Sequence, residues 1–218
     1  MDLIGDVLRL ADPPIVLGAP LASAQFEYTN REALGETGPQ QPTSVDVYLK
    51  SVAGERVLVE FKFTETEFGT CSVYESGDCD GANFRLDFST CYLHEYAGRQ
   101  YMKLMEKYHL LPESEACPFV EFYQAYRLLL LALEEEAATP GKPRAQGLLV
   151  HDGRNPAFLH RTGGVDRGRY VRFKRLLPKE MANRVSILRI QDMANALEKS
   201  GRAEWIADFR SRYAIGCD

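Results

Sequence analysis

Long apolar runs are missing from this chain. No stretch approaches the roughly 20 apolar residues that a membrane-spanning helix needs. The opening residues MDLIGDVLRLADPP carry neither a basic n-region nor an apolar h-region. The expectation is a cytoplasmic protein without a membrane partner. Internal repeats and low-complexity tracts are also absent. A GxxxxGK[ST] phosphate loop is lacking, which argues against ATP hydrolysis by this chain, and so is a GxSxG nucleophile elbow. Cysteine is present but shows no pairing pattern. The five are Cys71, Cys79, Cys91, Cys117 and Cys217, an odd number that argues against a disulfide framework. No CxxC pair exists, so zinc-ribbon spacing fails. His94, His109, His151 and His160 show no paired metal spacing and read as surface or core histidines.

What is present suits one large domain. The 218 residues are 45% hydrophobic and 26% charged, enough to bury a core. The net charge of -5 hides an asymmetry. Residues 1–138 hold 10 Lys+Arg against 23 Asp+Glu, and residues 139–218 hold 16 against 8. The last third therefore carries excess positive charge. That suits a polyanionic partner, and it suits a charge-mixed solvated surface as well.

Along the chain, residues 1–10 read as a short helix stopped by Asp12-Pro13-Pro14. LASAQFEYTNREALG (21–35) reads as a second helix ending at Gly35. Two strands follow, VDVYLK and RVLVEFKF, joined at Ala53-Gly54. Residues 64–91 form a long polar, Gly-rich excursion. Helices are expected over 92–109 and 119–137, and a buried strand over 145–152. Residues 167–177 are ambiguous, 185–192 read as a strand, and two helices close the chain. This order predicts an α/β layer protein with a mixed sheet.

The chemistry concentrates in SVDVYLKSVAGERVLVEFKFTE (44–65). Strand alternation puts Glu60 and Lys62 on one face and Val59, Phe61 and Phe63 on the other, toward the core. A tight hairpin would set Asp46 beside Glu60 across the ladder. Two adjoining carboxylates repel unless a cation or proton joins them. Mg²⁺ suits such a pair, because it binds through one or two carboxylates plus waters and substrate phosphate. The same three charges also suit a solvated hairpin face with a cross-strand ion pair, which is common and contributes little.

The pattern D-x(13)-E-F-K on two adjacent strands resembles the PD-(D/E)XK nuclease superfamily, the restriction-endonuclease-like fold. PTSVDVYL followed by VEFKFTETEFGTC is similar to a bacterial branch of it, most densely at residues 42–71. The resemblance implies a restriction-endonuclease-like core over 1–152, a central mixed β-sheet flanked by helices. A C-terminal α/β extension over 153–218, with the excess positive charge, would pack on the same domain. The resemblance also implies that Asp46 and Glu60 are metal ligands, with the Phe61 carbonyl as a third, and that Lys62 is the catalytic lysine. Mg²⁺ or Mn²⁺ is the implied cofactor and DNA the implied partner. Ser44-Val45 stands where a Pro often precedes the Asp.

Members of the superfamily often add an acidic residue from the preceding helix. Glu27, Glu32 and Glu36 are candidates here, with Glu36 favoured. The following helix offers Gln124 and Arg127, although the Gln-x-x-x-Tyr pattern of some members is not reproduced, since the Tyr stands at 126. Some members hold an iron–sulfur cluster on four cysteines, one upstream of the catalytic strands and three far downstream. Cys71, Cys79, Cys91 and Cys117 all follow the motif instead. An iron–sulfur cluster or zinc on them is not expected, and buried unpaired thiols are.

The implied reaction is Mg²⁺-dependent phosphodiester hydrolysis by an endonuclease. A homodimer is open to such an enzyme, because two copies can cut two strands. Two other readings stand beside it. One is a catalytically silent nucleic-acid- or protein-binding module on the same fold. The other is an unrelated α/β protein whose hairpin charges only pair.

Overall fold

The computed structural model describes residues 3–36, 38–39, 41–82, 91, 93, 98–141, 144–199, 203–212 and 214. Three strands, β1 (Leu21–Thr29), β2 (Ser44–Ser51) and β3 (Arg56–Lys62), form an antiparallel meander. β3 then pairs in parallel with β4 (Ala145–His151), and β4 with β7 (Val185–Arg189). The result is a five-stranded mixed sheet of order β1-β2-β3-β4-β7. A small hairpin, β5 (His160–Thr162) and β6 (Val165–Arg167), lies outside it. The segment after residue 152 thus supplies the last strand of the main sheet.

Helices cover both faces, as the parallel β3-β4-β7 half requires. On one face Leu58, Leu149 and Ile187 pack with α3 (Tyr101–Lys107), α4 (Tyr123–Ala137) and α5 (Arg169–Leu176). α4 joins β3 to β4, and its successive residues Leu128 to Leu133 are all buried, as suits a helix enclosed by the core. On the other face Val57, Val59, Leu148 and Val150 pack with α1 (Leu3–Leu8) and α6 (Ile190–Lys199). The short α2 (Ser72–Glu75) lies in the excursion after β3, and α7 (Ala203–Arg212) follows α6. The molecule is an α/β protein whose central mixed sheet is flanked by helices, consistent with a restriction-endonuclease-like fold.

Residues 21–29 correct the sequence reading. They form edge strand β1, not a helix. Their burial follows no helical period, and Phe26 is 75% exposed. Pairing decides the outcome. β1 runs beside β2 from Leu21–Ser51 to Thr29–Ser44, the Tyr28 ring stacks on Tyr48 at 4.3 Å, and Asn30 donates to Glu135 of α4 at 2.8 Å. A strand at an edge takes its structure from such partners. Glu27 adopts φ +48° and Glu32 lies in the turn that follows, so neither stands on a helix before the site.

Residues 167–177 resolve as the end of β6 and α5, and the strand expected over 185–192 gives way to α6 at Ile190. Within the helix expected over 92–109, α3 covers the second half. Residues 92 and 94–97, and with them His94, lie outside the described residues, as does Cys217.

Candidate active site

The site stands where β2 and β3 part. Their register runs from Lys50–Arg56 to Val47–Val59 and stops. One step further, the same register sets Asp46 opposite Glu60. There the Asp46 side chain takes over from the ladder, and its Oδ2 accepts the Phe61 amide at 2.6 Å. This bond fixes the Asp46 carboxylate against β3.

Alternation places the other two residues. Leu58, Glu60 and Lys62 share the α4 side of the sheet, while Val59, Phe61 and Phe63 face the layer of α1 and α6. Lys62 Nζ lies 3.0 Å from Glu60 Oε1 and 3.6 Å from Glu65 Oε1. The Lys62 side chain is only 4% exposed and that of Glu60 14%. Such burial excludes an ordinary solvated hairpin face, where an ion pair lies open to water.

Electrostatics single out Glu60. Burial pushes its carboxyl pKa up and the Asp46 charge adds to that, against the opposing pull of Lys62 and Arg127. A half-buried carboxylate pair beside one ammonium attracts a further cation. Among the described residues no group of three or more His, Cys, Asp or Glu side chains is set to hold a metal. Two carboxylates with open positions fit Mg²⁺, which fills its shell with carbonyls, waters and phosphate oxygens.

The accessory candidates reach the site unequally. Arg127 donates from Nε to Thr43 Oγ1 at 2.9 Å, its guanidinium lies 4.7 Å from the Tyr123 ring centroid, and its charge acts on Glu60. Glu36 is buried and its oxygens are taken. It accepts the Thr43 amide at 2.8 Å and the Thr43 and Tyr101 hydroxyls, and it pairs with Arg99. Glu36 is tied to the site through Thr43 and Arg127. Gln124 packs on the loop after β3. Its backbone amide donates to the Phe68 carbonyl at 2.8 Å, and its side chain lies over Gly69, where an added Cβ would meet it at 3.1 Å.

Three features were missed by sequence reasoning. Glu65 reaches Lys62 from the rim while accepting the amides of Phe63 at 3.0 Å and Thr64 at 3.1 Å. Its i, i+3 spacing from Lys62 was the available signal. The buried Thr43–Tyr101–Arg99 network around Glu36 spans distant segments and left none. His151 sits beside Lys62 in the β3–β4 register, 1% exposed, with neither ring nitrogen hydrogen-bonded.

The C-terminal positive charge is partly consumed by local pairing. Arg169 and Arg172 pair with Glu121, Arg184 with Glu136, Arg189 with Asp192, and Arg210 with Glu198. Closer to the site, Asp152 donates its amide to the Lys62 carbonyl at 3.2 Å, and Arg154 pairs with Asp152 at 2.6 Å.

A helix-flanked mixed sheet with a buried carboxylate–lysine strand defines a restriction-endonuclease-like protein. Residues 2–214 match the REase-ARP family, described as Restriction Endonuclease associating with ARP. The chain belongs to that family. Comparisons with curated proteins and with solved structures returned no match.

Proposed function

We propose that this protein is a metal-dependent nuclease of the PD-(D/E)XK kind, cutting phosphodiester bonds in DNA. The observation that carries the reading is the burial of Glu60 and Lys62 together on one strand face, with Asp46 pinned against the same strand. Asp46 and Glu60 would hold Mg²⁺ or Mn²⁺, with the Phe61 carbonyl beside them. Such a metal, when bound, lowers the pKa of a bound water and stabilises charge on a phosphoryl oxygen.

The chain's own residues divide the remaining work. The Phe61 amide holds Asp46 in place, so the carboxylate loses little freedom when it binds. Lys62 donates to Glu60 in the resting site and, in the working one, orients the attacking water and offsets charge at phosphorus. Burial by α4 keeps bulk water from screening these charges. Arg127, on α4 and held by Thr43, adds positive potential on the side where a phosphate would approach.

The test is calorimetric Mg²⁺ or Mn²⁺ binding by wild type and Asp46→Ala, with plasmid nicking assayed on the same samples. The expected result is binding and nicking in the wild type and neither in the variant. Nicking that survives Asp46→Ala would sink the nuclease reading. A fold that binds DNA yet neither binds metal nor nicks would be the silent module.

A further inference from the structure

Away from the carboxylates, the excursion between β3 and α4 gathers four cysteines. Cys71, Cys79, Cys91 and Cys117 all line one cavity of about 20 Å³, with Val73 and Phe119 among its other walls. None of the four is in a disulfide. Sequence spacing concealed this meeting, because 7, 11 and 25 residues separate successive cysteines and no CxxC pair announces it.

The backbone brings the segments together. The Cys71 amide donates to the Phe119 carbonyl at 2.9 Å, and the Cys117 amide to the Gly81 carbonyl at 2.7 Å. Ala82 and Ala116 form an isolated antiparallel bridge. Gly81 makes the turn after Cys79 with φ +76°, and an added Cβ there would stand 2.7 Å from the Tyr74 ring. The Cys79 sulfur also meets a backbone amide two residues on, Gly81 donating to Cys79 Sγ at 3.3 Å. Amides aimed at sulfur favour the charged thiolate and are the surroundings that tune a metal-bound thiolate.

As bare thiols Cys117 and Cys71 stay neutral: burial pushes the Cys117 thiol up to about 12 and raises Cys71 as well. A reactive nucleophile needs the opposite. Beside them the fully buried Tyr126 has a hydroxyl with no hydrogen-bond partner, within the electrostatic reach of Cys117. Four thiols on one small cavity, one of them already met by an amide that favours its charged form, call for a soft cation.

We propose that Cys71, Cys79, Cys91 and Cys117 bind one Zn²⁺, which staples the excursion between β3 and α4. The four thiols lose their protons to solvent as the four Zn–S bonds form. Zinc is the ion proposed because four thiolates are the usual closed shell of a structural zinc site. The thiols converge without being closed, since no three of the described ligating side chains already stand in metal-holding geometry. Closure draws the sulfurs to about 3.8 Å from one another, as tetrahedral Zn–S bonds of about 2.3 Å demand. Each cysteine has a single side-chain torsion with three staggered positions, so the change is local.

The test reads metal, not activity. Protein purified from zinc-supplemented culture is expected to carry one zinc per chain, released as the thiols are titrated with a mercurial. Exchange for Co²⁺ is expected to give the intense thiolate-to-cobalt bands of a tetrahedral sulfur site. Cys79→Ser and Cys117→Ser are each expected to weaken zinc binding by about tenfold or more, while Asp46→Ala leaves the zinc and the cobalt bands in place. Wild-type protein that takes up neither zinc nor cobalt overturns the proposal without recourse to any variant. Cobalt bands lost in Asp46→Ala but kept in Cys117→Ser also overturn it, and a brown, iron-containing protein overturns the choice of zinc. None of these results bears on nicking, so the two readings fail separately.

Discussion

Lys62 Nζ stands 3.0 Å from Glu60 Oε1 on the same face of β3, both side chains nearly closed off from water. A pair so placed is held for something other than stability, because desolvating two charges costs about as much as their attraction returns. Removing one partner, however, leaves the other buried and short of its counter-charge.

Lys62→Ala is therefore expected to reduce nicking by about 10²-fold or more, the usual cost of losing a group that stabilises developing charge. Metal binding should persist, because Asp46 and Glu60 remain and Glu60 loses a competing partner. Single-turnover nicking alongside calorimetry checks this. Full nicking activity in the variant would remove Lys62 from the reaction.

Glu60→Gln is expected to abolish metal binding and to flatten the pH dependence of the metal-free protein's melting temperature. Burial lifts the Glu60 carboxyl pKa in the folded state above its unfolded value. A raised carboxyl adds stability that is full below the unfolded value, about 4.3, and that is lost as pH rises through the folded value. At neutral pH the ionised side chain carries this cost, which the amide avoids, while Lys62 loses its counter-charge at 3.0 Å and keeps only Glu65 at 3.6 Å, so the two proteins differ in the slope of stability with pH. The same sign predicts that wild-type Mg²⁺ affinity weakens as pH falls toward the raised value, because the ligand is then protonated. Melting curves with and without Mg²⁺, for both proteins across pH, test it.

Glu36→Ala is expected to destabilise the fold by about 3–5 kcal/mol, the usual cost of stranding a buried charge. Arg99 is 9% exposed, and Tyr101 and Thr43 also lose their acceptor. Glu36→Gln should lose less, since an amide still accepts from the hydroxyls. Urea unfolding of the three proteins gives the values. Equal stability of Glu36→Ala and wild type would show the network to be idle.

The carboxylate strand was legible in the sequence because its determinants are local. Alternation alone puts Glu60 and Lys62 on one face and Phe61 and Phe63 on the other, and a hairpin sets Asp46 near Glu60. β1 was not legible. LASAQFEYT has neither a helical stripe nor a clean alternation, and it is a strand because β2 and Glu135 of α4 are there to receive it. The cysteine cavity was illegible for a similar reason. Its four thiols come from segments joined only by tertiary contacts, such as the Cys117 amide with the Gly81 carbonyl. Glu36 was picked as an acidic residue of a preceding helix, but no helix carries it, and Thr43, Tyr101 and Arg99 occupy its oxygens.

His151 supplies the last prediction. It is β4's neighbour to Lys62, 1% exposed, edge-on to Phe158 at 6.2 Å, with both ring nitrogens lacking a partner. Burial lowers its pKa and Arg189 adds to this, while Asp152 and Asp192 oppose it. A histidine that is harder to protonate when folded contributes stability that is present above its unfolded value, about 6.5, and lost as pH falls below it. The wild-type melting temperature should therefore fall between about pH 7 and 5 more steeply than that of His151→Leu, which has nothing to protonate. At neutral pH the leucine should cost little, because it replaces a ring whose polar atoms are buried without bonds. Thermal melts at matched ionic strength decide the matter, and parallel acid limbs in the two proteins would place the titrating group elsewhere.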